Sequence, residues 1–115
     1  MSQSFQPGDF LVFQLEAGFA LLRVLAVDED AWHVAAYSDF FADVESAEAA
    51  ISDSNNLIVS STHIALTQRA FESTQVAKIA NRELGDGDLA ALAQWRNDPN
   101  REISDRSVRL LLGLR

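Results

Sequence analysis

The stretch PGDFLVFQLEAGFALLRVLAV, from Pro7 to Val27, carries most of the information about the fold. Pro7-Gly8-Asp9 is turn chemistry, and Phe10-Leu11-Val12-Phe13-Gln14-Leu15 after it is short, aromatic and β-branched, which predicts a buried strand over residues 9–16. Gly18 supplies the positive φ that a tight hairpin uses, so Phe19 to Val27 is expected to return as a second strand. A helix over 19–27 is the competing local reading, and the neighbouring turns favour β.

Asp28-Glu29-Asp30 is the next turn. Ala31 to Tyr37 follows as a third strand, with Trp32, Val34 and Ala36 on one face and His33, Ala35 and Tyr37 on the other. Asp39-Phe40-Phe41 is expected to end that pattern, and Asp43 is placed to cap a short helix over 44–51 whose Val44, Ala47 and Ile51 share a side. After the polar loop Ser52 to Asn56, Leu57 to Leu66 is β-branched enough for one or two more strands. Ala70 to Leu84 shows no clear period, with Phe71, Val76 and Ile79 as candidate core contacts. Leu89, Leu92 and Trp95 recur at three-residue spacing before Asp98-Pro99, which predicts a helix over 88–97. A last helix is expected from an N-cap at Ser104, with Ile103 and Val108 at staple spacing, Val108, Leu111 and Leu112 as its stripe and Gly113 ending it. Together these predict an α+β domain: a small curled antiparallel sheet of about five strands, an SH3-like barrel, with a mid-chain helix and C-terminal helices. An open antiparallel sheet with helices on one face is the alternative architecture.

At 115 residues, 48% of them hydrophobic, the chain reads as one domain, 1–115, large enough to build a core without metal or disulfide staples. Cysteine is absent, which removes disulfides and thiol nucleophiles. The N-terminus lacks the basic and apolar regions of a signal peptide, and the longest apolar run, Phe19 to Val27, is interrupted by Arg23 and too short to span a bilayer. A cytoplasmic location without membrane association is expected. The formal charge of −8 is unevenly placed. Residues 1–68 hold ten carboxylates and one base, Arg23, a balance of −9, whereas residues 69–115 hold eight bases and seven acids, a balance of +1. The negative first part repels phosphate backbones, so nucleic acid is not an expected partner.

No catalytic motif stands out. Asp28-Glu29-Asp30 lacks the glycine-hinged spacing of a calcium loop, two histidines are too few for a zinc site, and no serine lies in a nucleophile elbow, so neither a metal nor another cofactor is expected. Gly85-Asp86-Gly87 is not a phosphate loop, because no Lys-Ser/Thr follows. Arg96, Arg101, Arg106, Arg109 and Arg115 are interspersed with Asp98, Glu102 and Asp105, as on a helix surface with mixed pairs. The candidate binding residues are Asp28, Glu29, Asp30, Asp39, Phe40, Phe41, Asp43, Glu45 and Glu48, an acidic segment with aromatic anchors suited to a basic protein partner. Two other readings stand beside this one. A small hydrolase or lyase would use His33 or His63 with a carboxylate in a concave pocket. A homodimer would use Leu110, Leu111, Leu112 and Leu114 of the terminal helix.

Gly8-Asp9-Phe10-Leu11-Val12-Phe13-Gln14-Leu15, the turn with Gly18, Ala20-Leu21-Leu22-Arg23-Val24-Leu25, and later Lys78-Ile79-Ala80-Asn81-Arg82-Glu83-Leu84 resemble the bacterial immunity protein 26 family and related small β-rich bacterial proteins. The tryptophan of that pattern ahead of Lys78 is missing here, with Val76 in its neighbourhood. The resemblance implies a non-catalytic protein that protects a bacterial cell by binding a toxin, and the acidic first part would suit a basic toxin domain.

Overall fold

The computed structural model describes residues 5–29, 31–52, 57–108 and 111. Three strands, β1 (Asp9–Leu15), β2 (Gly18–Val27) and β3 (Trp32–Phe41), form the expected meander. Helix α1 (Val44–Ile51), strand β4 (Val59–Leu66), helix α2 (Gln68–Glu72), strand β5 (Ala77–Asn81) and helix α3 (Asp86–Arg96) follow. The sheet order is β4-β3-β2-β1-β5 with every neighbouring pair antiparallel.

Two glycines hold the chain at close backbone crossings. Gly8 has φ +92°, and a Cβ there would sit 2.3 Å from the carbonyl oxygen of Arg82, so only glycine fits where the chain enters β1. At Gly18 a Cβ would meet the carbonyl oxygen of Phe41 at 2.5 Å, which lets the β1–β2 hairpin lie against the end of β3.

The third strand is longer than its sequence pattern predicts, because Asp39-Phe40-Phe41 continues it instead of ending it. Phe40 and Phe41 pair with Ala20 and Phe19 of β2, and the polar positions Ser38 and Asp39 fall at a sheet end where they bond to Ile58. Leu57 to Leu66 yields one strand, not two. The unassigned segment resolves into α2, capped by the Thr67 hydroxyl accepting from the Ala70 N–H, and β5, which pairs with β1.

Both sheet faces are covered. One side packs Leu11, Phe13, Leu22, Trp32 and Val34 against Phe71 of α2 and against Val108. Trp32 stacks on Phe71 at 4.1 Å and donates its indole N–H to Gln68 Oε1 at 2.7 Å. The opposite side packs Phe10, Val12, Leu21 and Tyr37 under Ala47 and Ile51 of α1, and Leu25 and Ala35 under Leu92 of α3. Phe71 is fully buried as expected, and Val76 and Ile79 pack against the two cores.

The sheet does not close. Among the described residues β4 and β5 remain its two edges, so barrel closure is not reached; helices shield both faces, and not one face as in the open-sheet alternative. Ser104 also departs from its expected role. Its backbone forms a parallel bridge beside Leu66, donating to the Ala65 carbonyl at 2.8 Å and accepting from the Thr67 N–H at 2.9 Å. The terminal helix starts later, helical at Val108, with the Leu111 N–H bonded to the Ser107 carbonyl. Val108 is buried, Leu111 is exposed, and Leu110, Leu112, Gly113 and Leu114 lie outside the described residues.

Candidate functional site

The acidic segment is continuous in sequence and divided in space. Asp28 and Glu29 lie at the β2–β3 turn, whereas Asp39, Phe40, Phe41, Asp43, Glu45 and Glu48 lie at the far end of β3 and on α1. Strand residues Trp32 to Ser38 separate the two groups, roughly 23 Å at the usual rise per residue. Asp30 is outside the described residues.

Many of the carboxylates have structural work. Burial pushes the Asp9 carboxyl up, but the Asn81 amide, the Gln6 N–H and Lys78 outweigh it and hold the carboxyl below its ordinary range. Asp28 pairs with Arg96 at 3.1 Å and with His33 at 2.8 Å. Asp39 accepts from the Ile58 N–H, and Asp43 caps α1 by accepting from the Ser46 N–H, the bond that lowers its pKa. Glu45 and Glu48 project from α1 exposed, one turn apart. Among the described residues Asp39, Asp43, Glu45 and Glu48 have no ion-pair partner. Phe41 is half-buried against the α1 core, while Phe40 is 56% exposed and Ile58, bonded to Ser38 and Asp39 at the same end of β3, 63%.

The other end of β3 gathers residues that the sequence leaves far apart. His33 is fully buried, with Nε2 2.8 Å from Asp28 Oδ2 and Nδ1 2.8 Å from His63 Nε2. Pairing of His33 with Ala65 brings β4 alongside and places His63 over the imidazole, their centroids 5.1 Å apart. Trp95 of α3 packs against both rings, at 4.8 and 5.5 Å, and Arg96 beside it holds both Asp28 oxygens. The histidine that meets a carboxylate, His33, is itself buried, whereas His63, which bonds to His33, opens onto a cleft of about 470 Å³ that also meets Trp95, Ile103 and Arg106. The helical spacing that aligns Trp95 with Leu89 and Leu92, and the mixed charges around Arg96, do not reveal that their partners include His33 of β3, His63 of β4 and Asp28 of the acidic segment.

The directions of these bonds follow from Asp28. Its carboxylate only accepts, so His33 Nε2 carries a hydrogen; with both rings neutral, His33 Nδ1 then accepts from His63 Nε2–H, leaving His63 Nδ1 as a lone pair. Burial, the adjoining His33 and Arg96 push the pKa of His63 down from 6.5 to about 4. Since the unfolded chain binds that proton more readily, stability is expected to fall as the pH drops from 6.5 to about 4 and then level off. Half-burial and solvent screening hold the effect to about 1–2 kcal/mol. Urea unfolding of the wild type and His63→Gln at pH 7 and pH 4 checks this: the variant should lose less stability, and parallel losses would exclude His63 as the cause.

Among the described residues no group of three or more His, Cys, Asp or Glu is placed to hold a metal ion, and no helix is long and apolar enough to cross a membrane. Comparisons with family models, curated proteins and solved structures return no match to this chain.

Proposed function

We propose that the chain is a small, non-catalytic bacterial binding protein that docks a basic protein partner on the end of the sheet where β3 gives way to α1. One observation carries the reading: among the described residues the two most exposed large apolar side chains, Phe40 and Ile58, stand at the sheet end that bears Asp39, Asp43, Glu45 and Glu48, carboxylates that have no ion-pair partner there. Aromatic and aliphatic groups supply desolvated anchors, and unpaired charge around them steers a partner of opposite sign. Asp28 drops out of the docking surface, because Arg96 and His33 already occupy that carboxylate.

The resemblance to the immunity protein 26 family adds the biological class, an immunity-type inhibitor acting in the cytoplasm on a basic toxin domain. The SH3-like class belongs to the same reading: β1 pairs with both β2 and the last strand, β5, and register irregularities in β1, β2 and β3 supply curl to a sheet left open at its edges. Glu45→Lys with Glu48→Lys is expected to slow capture of the native partner by about 10–100-fold at low salt, with little change at high salt. Phe40→Ala should accelerate dissociation, weakening binding by about 30-fold for a typical anchor. Surface-immobilised chain exposed to a bacterial lysate, followed by kinetics with the captured protein, measures both. Equal capture by the double lysine variant would overturn the docking surface.

A further inference from the structure

The cleft beside His63 is distinct from the proposed protein-docking surface and lies at the opposite end of β3. Its volume of about 470 Å³ falls in the range of small-molecule sites. Trp95, Ile103 and Leu111 give it apolar walls, and Arg106 and Ser61 line it. A second depression, of about 450 Å³, shares Trp95 and Ile103 and adds Arg96 and Arg101.

The charges around these walls select the ligand. Arg96 is neutralised by Asp28, whereas Arg101 and Arg106 have no carboxylate partner among the described residues; Arg101 instead donates to the Arg96 carbonyl and lies over the Trp95 ring at 5.4 Å. Glu102 is the one further acid lining the cleft. Across the two adjoining depressions Arg96, Arg101 and Arg106 face Asp28 and Glu102, a local excess of one guanidinium on a chain of charge −8, which is the complement of a monoanion. Trp95 lines both depressions and is the aromatic surface they share. The Asp28–His33–His63 chain presents a hydrogen-bond acceptor at His63 Nδ1 when both rings are neutral, and among the described residues that atom has no partner.

We infer that this cleft is a site for a small planar organic acid bearing a hydroxyl group, with Arg106 meeting its carboxylate, Trp95 and Ile103 its ring, and His63 Nδ1 accepting its hydroxyl hydrogen. His33 and Asp28 are positioning residues: they fix the tautomer that leaves Nδ1 able to accept.

The test uses the full chain at pH 8.5, with 4-hydroxybenzoate and benzoate as probes and the Trp95 indole N–H resonance as readout. One hydrogen bond to a neutral acceptor predicts that 4-hydroxybenzoate binds about 2–10-fold more tightly than benzoate. His63→Phe should abolish that preference and still bind benzoate, and Arg106→Gln should weaken both acids by about 2–5-fold. Equal affinities of the two acids for the wild type would overturn the inference, as would a preference that survives in His63→Phe. So would the absence of saturable shifts at tens of millimolar of either acid. None of these outcomes bears on capture of a basic protein by Glu45 and Glu48.

Discussion

Phe71→Ala is expected to destabilise the protein by about 3–5 kcal/mol, the range for truncating a buried phenylalanine without full collapse of the cavity. Phe71 has no exposed surface, stacks on Trp32 at 4.1 Å and meets the Phe5 ring edge-on at 5.9 Å. Helix α2 is five residues long, far below the length at which a helix sustains itself, so its anchorage is tertiary. Loss of the ring therefore opens a cavity and frees the segment that joins β4 to β5. Urea denaturation gives the number, and Phe71→Leu should retain more than half of the lost stability. A cost below about 1 kcal/mol for alanine would mean that α2 is not a supporting part of this core.

Arg23→Met is expected to cost about 3 kcal/mol, because it deletes one partner of a buried polar set and leaves the others in place. Arg23 is the single base of the first 68 residues and is almost fully buried. Its guanidinium donates to the carbonyls of Arg82 and Glu83 at 3.0 and 3.1 Å, pairs with Asp88 at 3.4 Å, and lies over the Phe10 ring at 4.7 Å. One side chain thus ties β2 to the segment after β5 and to the first turn of α3. Methionine keeps the apolar stem and removes the donors. Asp88 is 43% exposed at its side chain, so Asp88→Asn should cost less than about 1 kcal/mol. Equal costs for the two variants in thermal or urea unfolding would place the energy in the ion pair and not in the bonds to the two carbonyls.

Strands β1 to β3 are legible because their apolar runs are dense enough to be dry on both faces, and α1 is legible because Asp43 stands at its start with Val44, Ala47 and Ile51 aligned behind it. Strand β5 is not, since Ala77, Lys78 and Asn81 are exposed and its identity as a strand comes from pairing with β1, distant in the chain. The end of β3 is misread for a related reason: Ser38 and Asp39 look like a break, yet polar side chains at an exposed sheet end are easily solvated or bonded locally.

The histidine cluster is hidden by register. His33 and His63 are visible as residues, but their meeting depends on the pairing of His33 with Ala65, and the cluster is completed by the packing of α3; neither has a local signal. The acidic segment fails in the opposite direction. Contiguity suggests one patch, and a ten-residue strand divides it, so that Asp28 becomes internal to a histidine network while Glu45 and Glu48 keep their charge open to solvent.

Photo-crosslinking from position 40 tests the docking surface most directly. A benzophenone side chain at Phe40, in bacterial lysate, is predicted to form a crosslink to a basic protein that is lost when Glu45→Lys and Glu48→Lys are added. The same group at Val27, exposed at the other end of the sheet, should form none to that protein. A crosslink of equal yield from both positions, or one indifferent to the two lysines, would contradict the assignment of the β3–α1 end as the partner surface.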